Sequence, residues 1–425
     1  MARISDEEKL LAAGMGLKDP LSRRVFLQLA ATAGVAIPMG AADFGFATTA
    51  KAGVPGKAAA NFAGLQISFW AAFAAGYKSS TNAFGLEDPV DLIHNNDAVR
   101  EMAQVRGLPT QGVNMLVSTV VSAGETPLVA KLCQENKIYY QCCWEIPDWF
   151  TPSDVGDYFI AYETPDSVEA AYQSAKVLFK SIGGEGKVVH IKGLATPTDV
   201  ARSAGLMKAA AEFPGIQIAG GLRGDWEREK SRQVMLSMVT AHPDMKGVFA
   251  QNDDEAIGVL SVIQERKDLS HIKVASVDGI PQAVEEVAKG GNLVATNLAL
   301  PPFMAGTAAT MLFDAFNGWK PSLPERLIYT GSPTATAENA GKIYQDIYKA
   351  AELPFDWKKM SKTLSPNDWD PQNKIVPIDP KVHWNGAKGE AKLNAAYNAP
   401  DWPDQLAKAT KMYADHYKSG PFYAA

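Results

Sequence analysis

The chain has 425 residues, 46% of them hydrophobic and 21% charged, with a formal net charge of -6. This is the composition of a globular protein, and the length allows two or three domains. Without a basic face, neither nucleic acid nor a membrane surface is an expected partner. Cys133, Cys142 and Cys143 are too few for a disulfide framework, so we expect buried thiols, with a disulfide formed by Cys133 as the alternative. The six histidines are scattered, so no metal or cofactor is expected.

The N-terminus carries an export signal. Ser22–Leu27 reads S-R-R-V-F-L, which matches the twin-arginine motif S-R-R-x-F-L through Arg23 and Arg24. A weakly apolar stretch, Leu27–Ile37, follows and is too short to span a bilayer. The order of these regions predicts a cleavable signal peptide over 1–52. The twin-arginine translocase would recognise this peptide and export the protein to the periplasm. The alternative is an amphipathic helix that happens to contain two arginines.

Strand and helix patterns alternate along the rest of the chain. The predicted strands are Leu65–Trp70, Gly112–Val117, Ile138–Cys143, Lys187–Ile191, Ile216–Ala219 and Leu293–Thr296. The predicted helices are Thr126–Asn136, Ser167–Ile182, Asp199–Phe213 and Phe303–Phe316. Because the alternation occurs twice at similar spacing, it indicates an α/β fold with two halves, each a parallel sheet covered by helices.

Polar residues recur where apolar strands end. Val248–Ala250 and Ile272–Val277 are apolar runs typical of strands covered on both faces. Asn252 follows the first run and forms a capping-box pattern with Glu255, and Asp278 follows the second. Ligands of open parallel sheets bind outside the carboxyl ends of the strands, so Asn252 and Asp278 are expected in one crevice, where they suit hydroxyl groups. Alternatively, Asn252 only caps a helix and Asp278 only shapes a turn.

The same part of the chain resembles a known family. Val239–Gly258 reads V-T-A-H-P-D-M-K-G-V-F-A-Q-N-D-D-E-A-I-G, which is similar to the ribose-binding-protein group of periplasmic substrate-binding proteins. The V-D-G of Val277–Gly279 and the L-V-A-T-N-L-A-L-P of Leu293–Pro301 lie at the spacing of that family. The resemblance covers the chain from about Leu65 to about Thr336.

The resemblance implies two doubly wound parallel-sheet lobes of the type I periplasmic binding protein fold, joined by a three-crossing hinge. The N-terminal lobe would consist of 60–161 and 299–329, and the C-terminal lobe of 162–298 and 330–340. Two of the crossings are expected at Tyr158–Ala161 and Arg326–Thr330. The ligand would bind in the cleft between the lobes.

The resemblance also implies ligand-binding residues. Aromatic residues just after the first strand, Trp70 or Phe73, would face the ligand. Arg202 begins an R-S-A-G pattern that matches a ligand-binding arginine of the family, and its guanidinium is a rigid fork of donors. Trp226 would form the aromatic wall of the second lobe, stacking on a sugar ring. The alternatives are an exposed helical charge for Arg202 and a surface anchor for Trp226.

Two positions depart from the family pattern. Trp144 and Glu145 stand where the family commonly has an Asp-Arg pair, so one carboxylate is kept and the cation is lost. Ala299 stands where the family usually has a glutamine, and Asn297 would replace that amide only if the strand register shifts. The first of these departures disfavours a simple pentose or hexose.

The resemblance implies a monomeric solute-binding protein that delivers a sugar, a polyol or a related hydroxylated molecule to the permease and ATPase of an ABC importer. The alternative is a periplasmic sensor of the same fold that partners a chemoreceptor or sensor kinase. A repressor is disfavoured because the export signal occupies the place of a DNA-binding headpiece. We find no nucleophile elbow or dinucleotide fingerprint, so no catalytic residues and no enzyme activity are expected.

The resemblance stops near Ala340. The C-terminal extension, 341–425, is rich in Trp, Pro, Asn and Lys. The simplest interpretation is that it wraps around the body of the protein and buries its aromatic rings there. A docking surface and a contribution to the rim of the cleft are the alternatives.

Overall fold

We analysed the protein through a computed structural model, which describes residues 56–384 and 392–422. The twin-arginine motif with Arg23 and Arg24 therefore lies outside the described residues.

The described residues form strands and helices that alternate through most of the chain. In chain order the strands are β1 (Ala58–Phe62), β2 (Val90–Ile93), β3 (Met115–Ser118), β4 (Tyr139–Cys143), β5 (Phe159–Pro165), β6 (Glu185–Lys192), β7 (Gly215–Arg223), β8 (Met245–Ala250), β9 (Lys273–Asp278), β10 (Leu293–Leu298), β11 (Leu327–Thr330), β12 (Thr334–Thr336) and β13 (Ile375–Pro377). The α-helices are α1 (Ser68–Ala83), α2 (Ala98–Gly107), α3 (Thr126–Asn136), α4 (Ser167–Ser181), α5 (Pro197–Ala211), α6 (Arg228–Ala241), α7 (Asp253–Glu265), α8 (Pro281–Ala288), α9 (Pro301–Phe316), α10 (Ala340–Ile343), α11 (Trp357–Met360), α12 (Pro380–His383) and α13 (Trp402–His416).

Two sheets define two lobes with the same internal topology. The first sheet has the order β13-β11-β5-β4-β3-β1-β2 and the second β12-β10-β9-β8-β6-β7. All neighbours are parallel except the edge strands β13 and β12. In each sheet the first five strands follow the doubly wound order 2-1-3-4-5, whose switch point lies between the first and third strands. The predicted α/β fold with two parallel-sheet lobes is thus confirmed.

The first predicted strand was wrong. Leu65–Trp70 contains a loop and the first turn of α1, and the true first strand is Ala58–Phe62. The sequence of this strand, A-A-A-N-F, has weak β propensity, but all five residues are buried, and burial overrides propensity in a central strand.

Two crossings between the lobes also differ from the prediction. Tyr158–Ala161 leads into β5, which stays in the first sheet until Pro165, so the chain crosses at Asp166. Arg326–Thr330 ends in β11 of the first sheet, and the chain crosses over residues 331–333 before β12.

The C-terminal extension returns to the first lobe. After α10 packs on α8 of the second lobe, α11 packs on α1 and α9 of the first, which is a fourth crossing. β13 then pairs with β11 at the edge of the first sheet. The extension buries its aromatic rings, as predicted; these are Phe355, Trp357, Trp369, Trp384, Tyr397, Trp402 and Tyr413.

Trp357 anchors the extension to helices α1 and α9 of the first lobe. Its ring lies on Gly306 of α9, where a Cβ atom would come within 2.2 Å of the ring, and its Nε1 donates to Ser79 Oγ at 3.0 Å. We expect Trp357→Ala to cost about 3–5 kcal/mol, because truncation of a buried tryptophan removes apolar contacts and leaves a cavity. Thermal unfolding should show a clear fall in melting temperature, whereas exposed Val382→Ala serves as the control with little change. Equal melting temperatures for the two variants would contradict this role of Trp357.

The three cysteines are free and buried, as expected. Among the described residues, no helix has the length and apolar character needed to cross a membrane.

Candidate functional site

A cleft of about 540 Å³ lies between the carboxyl ends of the strands of the two sheets. From the first lobe it is lined by residues that follow β1 to β4, together with the start of α1. From the second lobe it is lined by residues that follow β6 to β9, together with the start of α5. The cleft therefore lies where a doubly wound sheet places its ligand, and both lobes contribute to its lining.

Six of the predicted site residues line this cleft. They are Trp144, Glu145, Arg202, Trp226, Asn252 and Asp278. Residues up to 134 positions apart along the chain, from Trp144 to Asp278, thus converge on one hollow. Trp70, the alternative to Phe73, also lines it.

Phe73 and Asn297 do not line the cleft, so their assignment as ligand-binding residues is corrected. Phe73 lies in α1 and is fully buried against Phe62 and Trp70, because the segment is helical and its second turn faces the core. Asn297 Nδ2 donates to Ser332 O at 2.7 Å and to Thr334 Oγ1 at 2.9 Å. Asn297 therefore fixes the edge strand after a crossing.

Arg202 lies between two tryptophans from different lobes. Its guanidinium carbon is 5.5 Å from the ring of Trp144 in the first lobe and 5.5 Å from the ring of Trp226 in the second. Both tryptophans have left-handed backbone conformations, with φ of 73° and 67°. Such conformations are costly for non-glycine residues and concentrate at functional sites. The cleft therefore brings one guanidinium within cation–π distance of an indole ring from each lobe.

Arg202 is also held by an ion pair. Its Nη2 donates to Asp278 Oδ1 at 2.8 Å, and its Nη1 donates to the carbonyl oxygen of Gln251. Both side chains are buried, and burial raises the pKa of Asp278 to about 6 although the charge of Arg202 lowers it. Nε of Arg202 is buried without a partner among the described residues. This arrangement fixes a donor fork in the cleft and leaves one donor for a ligand.

Trp226 is positioned by two features of the second lobe. Its ring lies directly on the backbone of Gly193, where a Cβ atom would approach the ring to 1.9 Å. Its backbone N donates to Glu255 Oε1 at 3.2 Å. The absence of a side chain at Gly193 is therefore what allows the indole to approach the loop after β6 so closely.

The predicted capping box at Asn252 is confirmed. Asn252 Oδ1 accepts from Glu255 N at 2.8 Å, and Glu255 Oε2 accepts from Asn252 N at 3.2 Å. Because capping uses the side-chain oxygen, the amide nitrogen of Asn252 is left to donate into the cleft, which the residue lines. Capping a helix and facing a ligand are therefore compatible at this position.

Glu145 reaches across the cleft. Its Oε1 accepts from Thr198 Oγ1 of the second lobe at 2.8 Å, while its Oε2 is buried without a partner in the described structure. Burial raises the pKa of this carboxyl, opposed by the hydrogen bond from Thr198. Trp144 Nε1 is likewise buried and unpartnered. These orphan atoms are groups that a bound ligand can satisfy.

Several cleft residues were not identified from the sequence. They include Phe69, His94, Asn96, Thr119, Thr196, Thr198, Asp225, Glu227 and Asp254. His94 Nε2 contacts Thr119 O at 3.1 Å and His94 Nδ1 accepts from Asn96 N at 3.0 Å; burial lowers the pKa of the ring, so it is a neutral donor-acceptor group. His94 directly follows β2, so locating that strand would have revealed it. The described residues contain no group of side chains suited to a metal ion.

Comparison with known proteins places this geometry among solute-binding proteins. A family model described as a periplasmic binding protein domain matches residues 62–320. The ribose import binding protein of Salmonella typhimurium is 28% identical over 213 residues, which are 50% of this chain and 69% of that protein. A xylitol-binding protein of Mycolicibacterium smegmatis is 24% identical over 243 residues, 55% of this chain and 66% of that protein.

Solved structures agree in fold. A twin-arginine translocation pathway signal protein from Burkholderia phytofirmans has a TM-score of 0.64 at 25% identity, covering 68% of this chain and 92% of that protein. An ABC transporter solute-binding protein from Mycobacterium smegmatis with bound glycerol has a TM-score of 0.60 at 26% identity, covering 68% of this chain and 97% of that protein. In both cases the shared part leaves out about a third of the present chain.

Proposed function

This chain belongs to the periplasmic binding protein domain family, and from that premise we propose that it captures a sugar, a polyol or a related hydroxylated small molecule in the cleft and delivers it to an ABC importer. The relatives are named for binding ribose and xylitol. The family consists of substrate-binding transport proteins, which fits a cleft that needs only to bind and release.

The observation that carries this proposal is that Trp144 and Trp226, which come from opposite lobes, line one cleft together with polar side chains. Indole rings offer apolar surface to the body of a sugar, and the neighbouring donors and acceptors suit its hydroxyl groups. Closure of the lobes would remove water from the ligand and strengthen each of these hydrogen bonds. The periplasmic location follows the family, while export by the twin-arginine translocase and a monomeric state are part of the proposal.

A thermal-shift screen against pentoses, hexoses, polyols and sugar acids tests the proposal. A ligand that binds only the folded protein raises its melting temperature, and calorimetry then gives the affinity. We expect at least one neutral hydroxylated compound to bind with micromolar affinity or better, at a stoichiometry of one. Failure of every compound in the screen to shift the melting temperature would contradict the proposed ligand class.

Trp226→Ala is expected to weaken binding of that ligand about tenfold, because it removes one stacking face and the ring that holds Arg202 in place. Calorimetry of the folded variant measures the loss. The matched control is Trp319→Ala, which removes a partly buried tryptophan that packs near Lys362 in the first lobe, outside the cleft. Equal affinities for both variants would show that Trp226 does not face the ligand.

A further inference from the structure

The cleft is rich in carboxylates. Five of its lining residues are acidic, and Arg202 is the one lysine or arginine among the lining residues. The acidic residues are Glu145, Asp225, Glu227, Asp254 and Asp278. Because a neutral sugar needs no excess of one charge, this imbalance bears on which hydroxylated molecules the cleft accepts.

Three of the five carboxylates are neutralised by neighbours. Asp278 pairs with Arg202 inside the cleft at 2.8 Å. Asp254 and Asp225 form ion pairs with two cations that lie outside the cleft lining, and these cations are Arg228 and Lys230. Arg202 is thus paired with Asp278, and its charge also acts on Glu145, but neither Glu145 nor Glu227 forms an ion pair within the described part of the chain.

Glu145 is the deeper of these two unpaired carboxylates. The Thr198 hydroxyl donates to its Oε1 at 2.8 Å, the Thr196 hydroxyl also stabilises the carboxylate, and Oε2 is shielded from solvent without a close donor in the described structure. Glu227, by contrast, is exposed, so water solvates it. A buried carboxylate oxygen without a donor is costly, and a cationic donor compensates it better than a neutral one.

The neighbours of Glu145 also suit a cation that is attached to a hydroxylated body. Trp144 is 8% exposed, its unpartnered Nε1 can donate to a hydroxyl oxygen, and its ring face already lies against one guanidinium. Aromatic faces attract ammonium groups through the ring quadrupole. The unpartnered Nε of Arg202 supplies a second donor for hydroxyl oxygens.

We propose that the cleft prefers a hydroxylated ligand carrying one ammonium group, an amino sugar or an amino polyol, with Glu145 as the counter-charge. The proposal rests on the proposed function and specifies its ligand class. The ammonium group lies against Glu145 Oε2, and the hydroxyl groups accept from Trp144 and Arg202. Sugar acids are disfavoured by the excess of carboxylates in the cleft lining.

Calorimetry with matched pairs of compounds tests the proposal. The probes are D-glucose, D-galactose, D-mannose and xylitol, each beside an amino-deoxy counterpart and, for the hexoses, the neutral N-acetyl form. We expect at least one amino compound to bind at least tenfold more tightly than its neutral parent and its N-acetyl form. If neutral compounds bind and no amino compound gains over its parent, the ammonium proposal fails while the proposed function stands. If no member of the panel binds, the ammonium proposal fails, and the proposed function fails as well only if the wider thermal-shift screen also finds no ligand.

The variant Glu145→Gln isolates the charge, because glutamine keeps the shape and one acceptor oxygen. We expect the ratio of amino to neutral affinity to fall at least tenfold in Glu145→Gln. Asp268→Asn is the matched control: it removes the same charge at an exposed residue outside the cleft and should leave the ratio as in the original protein. An unchanged ratio in Glu145→Gln, with melting temperature and circular dichroism retained, would overturn the role of Glu145. If Glu145→Gln does not fold, Glu145→Asp provides the test, since shortening a counter-charge that contacts the ammonium must also lower the ratio.

Discussion

Replacement of Asp278 by alanine is expected to weaken ligand binding roughly a hundredfold while the protein remains folded. The carboxylate is an acceptor at the edge of the cleft, and its partner Arg202 is almost completely buried. Truncating one member of a buried, hydrogen-bonded charge pair costs about 2–5 kcal/mol, much of it because the remaining charge is left without its partner. Loss of the carboxylate would also release the guanidinium from its place between the two tryptophans.

Two further variants separate the possible causes of that loss. Asp278→Asn keeps the shape and an acceptor oxygen but removes the charge, so an intermediate affinity is expected. Asp268→Ala removes an exposed carboxylate that pairs with Arg266 outside the cleft, and it should bind normally. Calorimetry at neutral pH measures all three affinities, and circular dichroism checks folding. Wild-type affinity in folded Asp278→Ala would remove Asp278 from the ligand site and would weaken the assignment of the cleft.

The second lobe could be predicted well because its local signals agree with its fold. Val248–Ala250 lies inside β8, Asn252 caps the next helix through Glu255, and Asp278 ends β9. Each of these features depends on neighbours within a few residues. Parallel-strand geometry then brings Asn252 and Asp278 to the same cleft.

The first lobe was predicted less well because its signals depend on tertiary context. Ala58–Phe62 is a strand since its neighbours bury it, whereas Leu65–Trp70 has strand-like alternation but begins a helix. Without β1 and β2, the sequence could not indicate His94 at the end of β2. The contacts of Trp144 and Trp226 with Arg202 could not be predicted from the sequence either, because they depend on how the two lobes face each other.

Replacement of both Arg23 and Arg24 by lysine is expected to abolish export, so that the protein accumulates in the cytoplasm. Lysine keeps the charge but loses the planar fork of donors, so the exchange is not conservative where a guanidinium is recognised. Immunoblots of periplasmic and cytoplasmic fractions measure the distribution. The control is Arg100→Lys with Arg106→Lys, which makes the same exchange on α2 of the folded body and should leave export unchanged.

The topology of the first lobe gives a physical reason to expect this route. β11 and β13 complete the first sheet, and they come from residues near 330 and 375, far along the chain from β1. Because the first sheet closes only after most of the chain has been made, a route that carries folded protein, as the twin-arginine motif implies, suits this order of assembly. Normal periplasmic accumulation of the Arg23→Lys, Arg24→Lys variant would mean that another export route recognises the N-terminus. Late closure of the first sheet would then give no reason to expect export in the folded state.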